Sequence, residues 1–340
     1  MLRSIARYIF KAMNGLSVLA LLALPIGAIA SASSQDPATI EQAAAETVLV
    51  QLGQLDQRLS VPVGIGNSKP YNFVIDTGAE RTVVSRQLAS VLGLAPSGRI
   101  QVTSMTERSL VDTVIVPELF IRSIGQRHTI RAPALEASNI GAPGLLGIDT
   151  LQKHRVVIDF ERNEMAVMPS QPRRRATPTD PDEIVVVARS KFGQLIVTDA
   201  YYGNMPIKVV LDTGSQVSVG NSALRKRVRA RKGQVQITEI TSVTGGKANV
   251  DYMMVPDIKL GNIRFGAMPV AFTDAAPFTY FGLADKPAML LGMDSLREFR
   301  RVEIDFPNRQ VRFLLPKGAE RRARDSFGSM AALRPHSRRT

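Results

Sequence analysis

Two carboxylates follow near-identical apolar runs in this chain: Phe73-Val74-Ile75-Asp76-Thr77-Gly78-Ala79 and Val209-Val210-Leu211-Asp212-Thr213-Gly214-Ser215. Carboxyl groups held close together can divide acid and base work, because mutual repulsion keeps one protonated while the other stays charged. The expectation is that Asp76 and Asp212, one from each half, meet across a pseudo-twofold axis and activate a water molecule. Gly78 and Gly214 are expected to let the two loops approach each other and to take backbone conformations closed to other residues. The Thr77 and Thr213 hydroxyls are expected to bond across to the facing loop. Ser215 is expected to donate to Asp212, which Ala79 cannot do for Asp76, so Asp212 should be the more readily ionised member.

Other chemistries have few residues to work with. The 340 residues include no cysteine and only three histidines, His128, His154 and His336, too scattered for a metal cluster or a nucleophile–histidine pair. No metal or cofactor is expected. The net charge of +13 would suit an anionic partner, but its arginines concentrate at Arg173–Arg175 and in the C-terminal tail, and tryptophan is absent. Nucleic-acid binding is therefore not expected, and the tail reads as a solvated basic segment able at most to touch a membrane surface.

The segments that must position the carboxylates occur twice. The two Asp-Thr-Gly motifs lie 212 − 76 = 136 residues apart. Val102-Thr103-Ser104-Met105-Thr106 matches Ile240-Thr241-Ser242-Val243-Thr244, and Val116-Pro117-Glu118-Leu119 matches Val255-Pro256-Asp257-Ile258. Ala132-Pro133 matches Met268-Pro269, Leu145 to Leu151 matches Leu290 to Leu296, and Val157-Ile158-Asp159-Phe160 matches Glu303-Ile304-Asp305-Phe306. Two copies suit two pseudo-symmetric lobes better than a solenoid. Within the first copy, strands are expected at Val61–Ile65, Tyr71–Ile75, Ile100–Ser104, Leu110–Val116, Leu119–Ile121, Thr129–Leu135, Arg155–Phe160 and Glu164–Met168. One helix is expected over Arg86–Leu92, stopped by Gly93. The repeated Asp149, Asp159, Asp294 and Asp305 read as turn caps paired with nearby arginines, and Met105, Met253, Met254, Met268 and Met293 as core filler.

The expected organisation is a secretory signal at 1–32, a spacer or pro-segment at 33–46, a first lobe at 47–169, a Pro/Arg-rich linker at 170–183, a second lobe at 184–316 and a basic tail at 317–340. The charged start and short apolar run imply export, most simply to a bacterial periplasm, with an uncleaved N-terminal membrane anchor as the alternative.

These motifs resemble the retropepsin-like aspartic proteases, over about 46–169 and again over 184–316. The likeness rests on the apolar strand into Asp-Thr-Gly and on the later Leu145-Leu146-Gly147 and Leu290-Leu291-Gly292. The resemblance implies an all-β fold of two closed acid-protease lobes with one short helix each, catalytic Asp76 and Asp212 at their interface, and an endopeptidase acting on peptide or protein substrates. It also implies flap hairpins contributing Thr106 and Glu107 from one lobe and Thr244, Gly245 and Gly246 from the other. The first flap departs from the pattern because it has no glycine, so unequal closure is expected. A monomer with an internal pseudo-dimer follows. The alternatives are a peptide-binding protein without turnover, or repeats that pair with those of another chain.

Overall fold

Short β-branched runs separated by turn residues give strands whose pairing order is the same in both repeats. The computed structural model describes residues 60–171, 178, 180, 182–191, 193–229 and 234–317. The expected signal segment, spacer, linker arginines and basic tail beyond Lys317 lie outside these residues.

In the first repeat the strands are β1 (Ser60–Ile65), β2 (Tyr71–Ile75), β3 (Val83–Ser85), β4 (Pro96–Thr103), β5 (Arg108–Ile121), β6 (His128–Leu135) and β7 (Gly144–Leu146). They are ordered β4-β5-β6-β3-β7-β2-β1, and a β1–β5 pairing closes the sheet on itself. In the second repeat β11 (Gln194–Tyr202), β12 (Met205–Leu211), β13 (Val219–Gly220), β14 (Gln236–Thr241), β15 (Lys247–Val255), β16 (Ile258–Leu260), β17 (Ile263–Arg264), β18 (Met268–Phe272) and β19 (Ala288–Leu291) follow. Their order is β14-β15-β18-β13-β19-β12-β11, with β11–β16 as the counterpart of the closing pair. The fold is all-β, as expected.

The expected break between Val116 and Leu119 interrupts the two repeats differently. In the first, β5 runs through it with a register shift and Glu118 at a φ of 46°. In the second, Pro256 and Asp257, the latter at a φ of 60°, end β15 and start β16. The aligned Val-Pro-acid pattern thus produces one bent strand or two short ones.

The remaining strands belong to neither closed sheet alone. The strands β8 (His154–Asp159), β9 (Glu164–Pro169), β10 (Glu183–Lys191), β20 (Arg301–Asp305) and β21 (Gln310–Leu314) are ordered β10-β21-β20-β8-β9. Here β8 of the first repeat pairs with β20 of the second, Val156 opposite Ile304 and Ile158 opposite Val302, all four fully buried. The two copies are therefore joined by a shared sheet as well as by the linker. One apolar core runs from Val61 through Val156 and Ile158 to Val302 and Phe313, spanning both repeats.

Each repeat carries the expected helix and two further single turns among the described residues. They are α1 (Arg86–Val91), α2 (Ala137–Ile140), α3 (Ile148–Leu151), α4 (Ser222–Arg225), α5 (Ala276–Tyr280) and α6 (Met293–Leu296). Side-chain caps start the paired helices α1 and α4: Ser85 Oγ accepts from the Leu88 N–H at 3.0 Å, and Asn221 Oδ1 from the Leu224 N–H at 2.9 Å. Met253, Met268 and Met293 fill the core as expected, whereas Met254 is 53% exposed on the outer face of β15.

Candidate active site

Strands β2 and β12 each run parallel to a short partner, β7 and β19, and end at the carboxylates. The Asp76 N–H donates to the Leu146 carbonyl and the Asp212 N–H to the Leu291 carbonyl, both at 3.0 Å. This explains the recurring Leu-Leu-Gly. The leucines hold the carboxylate strands, and Gly147 and Gly292 admit the backbones of Arg81 and Val217, where a Cβ would collide.

The two loops then cross-link. The Thr77 N–H donates to Thr213 Oγ1 and the Thr213 N–H to Thr77 Oγ1, each at 3.1 Å. Each hydroxyl in turn donates to a strand of the other repeat, Thr77 Oγ1 to the Leu211 carbonyl at 2.9 Å and Thr213 Oγ1 to the Ile75 carbonyl at 2.7 Å. Both threonines are buried, so these bonds form away from competing water.

That network sets the carboxylates against the opposite loop. A Cβ on Gly78 would stand 2.6 Å from Asp212 Oδ1, and one on Gly214 would overlap the Asp76 carboxyl carbon. Neither glycine has a positive φ, so close approach is their role and the expected special backbone conformation is not. Gly78→Ala and Gly214→Ala are each expected to cost about 1–3 kcal/mol through overpacking, read as a fall in the urea midpoint. An unchanged midpoint would mean that the loops are not in contact.

Each carboxylate accepts two backbone N–H groups from its own loop. Asp76 Oδ1 takes Gly78 and Ala79 at 2.9 Å, while Asp212 Oδ1 takes Gly214 at 3.1 Å and Ser215 at 3.2 Å. Both residues are 8% exposed. Burial pushes Asp76 up to about 6 against the pull of those amides. Burial, and then the charge of Asp76, pushes Asp212 up to about 7. One proton shared between two carboxyl groups is the state such an environment favours near neutrality.

The expectation for Ser215 is overturned. Its Oγ donates to the Val217 carbonyl at 2.7 Å, and only its backbone N–H serves Asp212, as the Ala79 N–H serves Asp76. The Val217 carbonyl takes the hydroxyl, so the expected cause of an easier ionisation of Asp212 is absent, and burial raises both carboxyl groups. Ser215→Ala is therefore expected to leave the Asp212 titration in place when followed by carboxyl-carbon NMR. A displacement of that midpoint by a full unit would show that the hydroxyl serves Asp212 after all.

The other repeated aspartates brace the structure. Asp149 Oδ1 accepts from the Thr82 N–H at 2.8 Å and its hydroxyl at 2.7 Å, and Asp294 accepts the same two groups of Ser218 at 3.0 and 2.7 Å. Asp159 and Asp305 cap turns, taking the N–H groups of Arg162 and Asn308. The capping expectation holds, but among the described residues none of the four forms the expected arginine ion pair, because hydroxyl and backbone donors stand closer.

The β4–β5 and β14–β15 hairpin tips meet each other. Thr106 Oγ1 donates to Ser242 Oγ and Thr244 Oγ1 to Ser104 Oγ, both at 3.0 Å, and Thr244 Oγ1 also reaches Glu107 Oε1 at 3.2 Å. A Cβ on Gly246 would overlap Thr106 Oγ1, and Gly245, at a φ of 90°, lies against Asn139 of α2. All five expected flap residues thus sit at one junction. The missing glycine of the first tip has its reason here, since that tip supplies side chains and the second supplies the space for them.

Two contributors had no usable sequence signal. The Gln194 amide, buried at the start of β11, donates to the Gly78 carbonyl, and the adjacent Gly193 packs on Ile148. Tyr280 of α5 bonds the Glu80 side chain. Both reach from the second repeat to the first active-site loop. Ser104 and Ser242 were visible only as matched positions in the repeat alignment.

A family model described as "Aspartyl protease" matches residues 61–150 and 198–295, more than half of the chain. No curated protein matches it. Among solved structures, a retropepsin-like aspartic protease from Rickettsia conorii is similar at 18% identity, covering 38% of this chain and 89% of its own, with a TM-score of 0.29. Basic 7S globulin from soybean is similar at 8% identity, covering 76% of this chain and 97% of its own, with a TM-score of 0.39. The two matched regions contain the two Asp-Thr-Gly loops and the two Leu-Leu-Gly segments that hold them, and the chain belongs to the aspartyl protease family.

Proposed function

We propose that this chain is an exported aspartic endopeptidase whose single active site is shared by its two repeats. The observation that carries this reading is the crossing of the loops: Gly214 lies against the Asp76 carboxyl group and Gly78 against that of Asp212. Acid and base groups so close, buried, with pKa values pushed to about 6 and about 7, supply one ionised and one protonated carboxyl group near neutral pH.

In the proposed reaction the ionised carboxylate takes a proton from water as the water oxygen bonds to the peptide carbonyl carbon. The protonated carboxyl group gives its proton to the carbonyl oxygen, forming a neutral gem-diol. Collapse of that diol breaks the C–N bond: the departing nitrogen takes the proton the dyad gained from water, a diol hydroxyl gives its proton to the other carboxylate, and the acid and amine products leave with the dyad singly protonated again. The backbone amides on Asp76 Oδ1 and Asp212 Oδ1 keep one oxygen of each group fixed, leaving the other for proton transfer.

An extended peptide lying between the dyad and the hairpin tips is the substrate this arrangement fits, with backbone pairing giving affinity. The N-terminal charged and apolar segment supports export, most simply to a periplasm, and the positive charge of the C-terminal tail suits a membrane surface. Hydrolysis of a mixed peptide library by a species with the mass of one chain is the expected result. Activity only in a dimer would favour pairing between chains, and peptide binding without cleavage would make the protein a non-catalytic binder.

A further inference from the structure

The turn between β10 and β11 brings the second repeat against the first active-site loop. Gly193, at a φ of 87°, takes a backbone conformation that favours glycine and lies against Ile148 of α3. Ile148 is itself tied to that loop, because its N–H donates to the Ala79 carbonyl at 2.9 Å. The turn is thereby seated beside the loop, and Gln194 follows it, 2% exposed.

The Gln194 amide is only half satisfied. Its Nε2 donates to the Gly78 carbonyl. A carbonyl oxygen only accepts, so the nitrogen must face it, and Oε1 is left buried with no hydrogen-bond partner among the described residues. An apolar side chain of the same length would fill this space without leaving a buried acceptor unpaired. The reason for a polar group here lies in the one bond it makes.

That bond acts on a single peptide unit. The Gly78 carbonyl and the Ala79 N–H belong to the same amide, and the Ala79 N–H donates to Asp76 Oδ1 at 2.9 Å. A donor on the oxygen of an amide draws charge from its nitrogen and makes the N–H a stronger donor. Gln194, the Gly78–Ala79 peptide and Asp76 therefore form a hydrogen-bonded chain that ends on the carboxylate and favours its charged form. The corresponding bond of the second loop, from the Ser215 N–H to Asp212 Oδ1, is longer at 3.2 Å. Asp212 is the titratable group facing Asp76 across the axis. Among the described residues no ion pair reaches either carboxylate, and Gln194 brings no charge of its own.

We propose that Gln194 is a positioning residue for the dyad: acting through the Gly78–Ala79 peptide, it strengthens the amide bond to Asp76 and biases the shared proton toward Asp212. Its part in turnover rests on the proteolytic reading, whereas its action on Asp76 does not.

Gln194→Met keeps the length of the side chain and removes the donor. In an Asp212→Asn background Asp76 titrates without its partner, and loss of the donor is expected to raise its midpoint, followed by carboxyl-carbon NMR, by roughly 0.2–0.7 unit, since such polarisation supplies about 10–30% of a bond to a charged group. The Ala79 amide proton is expected to move upfield as its bond weakens. The Gly78 amide proton, which belongs to the preceding peptide and also serves Asp76 Oδ1, is expected to move less. A midpoint that stays in place or falls, or equal movement of the two amide protons, overturns the proposal. With Asp212 present, Gln194→Met is expected to shift the acidic limb of kcat/KM toward higher pH, and an unmoved limb likewise overturns it. Wild-type protein that cleaves no peptide overturns the proteolytic reading instead, while the Asp76 titration and the two amide protons still decide what Gln194 does.

Discussion

Asp76→Asn and Asp212→Asn are each expected to lower peptide hydrolysis by about 10³-fold while leaving the protein folded, consistent with the usual weight of an acid–base group. The fold survives because Asn keeps the Oδ1 acceptor used by the Gly78 and Ala79 amides, or by those of Gly214 and Ser215. What disappears is the ability to pass a proton. The two groups act as one unit, so the double variant is expected to be no slower than the worse single one. Additive losses would mean that the carboxylates work separately.

The same substitutions carry a stability signature of defined sign. Both folded-state pKa values are raised, to about 6 and about 7, above a normal aspartate at about 4. Between about pH 4 and 7 the folded protein therefore binds more protons than the unfolded chain, and stability falls as pH rises through that window. For carboxylates this buried the loss is on the order of a few kcal/mol. Asp212→Asn removes one titrating group and the repulsion on the other, so its melting temperature should decline less between pH 4 and 8 than the wild type's. Parallel curves would show that Asp212 titrates alike in the folded and the unfolded chain. One variant thus separates the chemistry from the electrostatics, since turnover falls while stability at neutral pH rises.

How much of this was legible beforehand follows from the range of each interaction. The 136-residue offset of the motifs reappears directly in the structure, in the two Thr77–Thr213 bonds. Pairing order was also accessible, because equal apolar patterns impose equal registers. Choices between nearby acceptors were not. Ser215 has the Val217 carbonyl and Asp212 within reach, and only the built loop shows which one takes its proton. Asp149 and Asp294 look like arginine partners in a chain rich in arginine, yet the hydroxyls of Thr82 and Ser218 are delivered to them by β3 and β13. Gln194 was illegible for another reason. Its bond to the Gly78 carbonyl spans 116 residues and follows no periodic pattern or motif.

Thr77→Val and Thr213→Val should be the most damaging changes to the fold that leave both carboxylates in place. Valine keeps the shape of threonine and removes only the hydroxyl, so packing losses are small and the result reports hydrogen bonding. Without the Thr213 hydroxyl, the Thr77 N–H and the Ile75 carbonyl lose their partner; without that of Thr77, the Thr213 N–H and the Leu211 carbonyl lose theirs. Each buried orphan costs about 1–3 kcal/mol, so a single variant, which leaves two, should lose about 2–6 kcal/mol in urea titration. Four orphans together approach the whole stability of a typical domain, roughly 5–15 kcal/mol, so the double variant is expected to part at the seam at physiological temperature. The two hydroxyls lie 3.4 Å apart in one network, which makes additivity the unexpected outcome. Thr→Ser at either site keeps the oxygen and should restore most of the loss. If serine were as harmful as valine, the methyl groups and not the hydroxyls would be holding the two loops together, and the alignment of the carboxylates would need another cause.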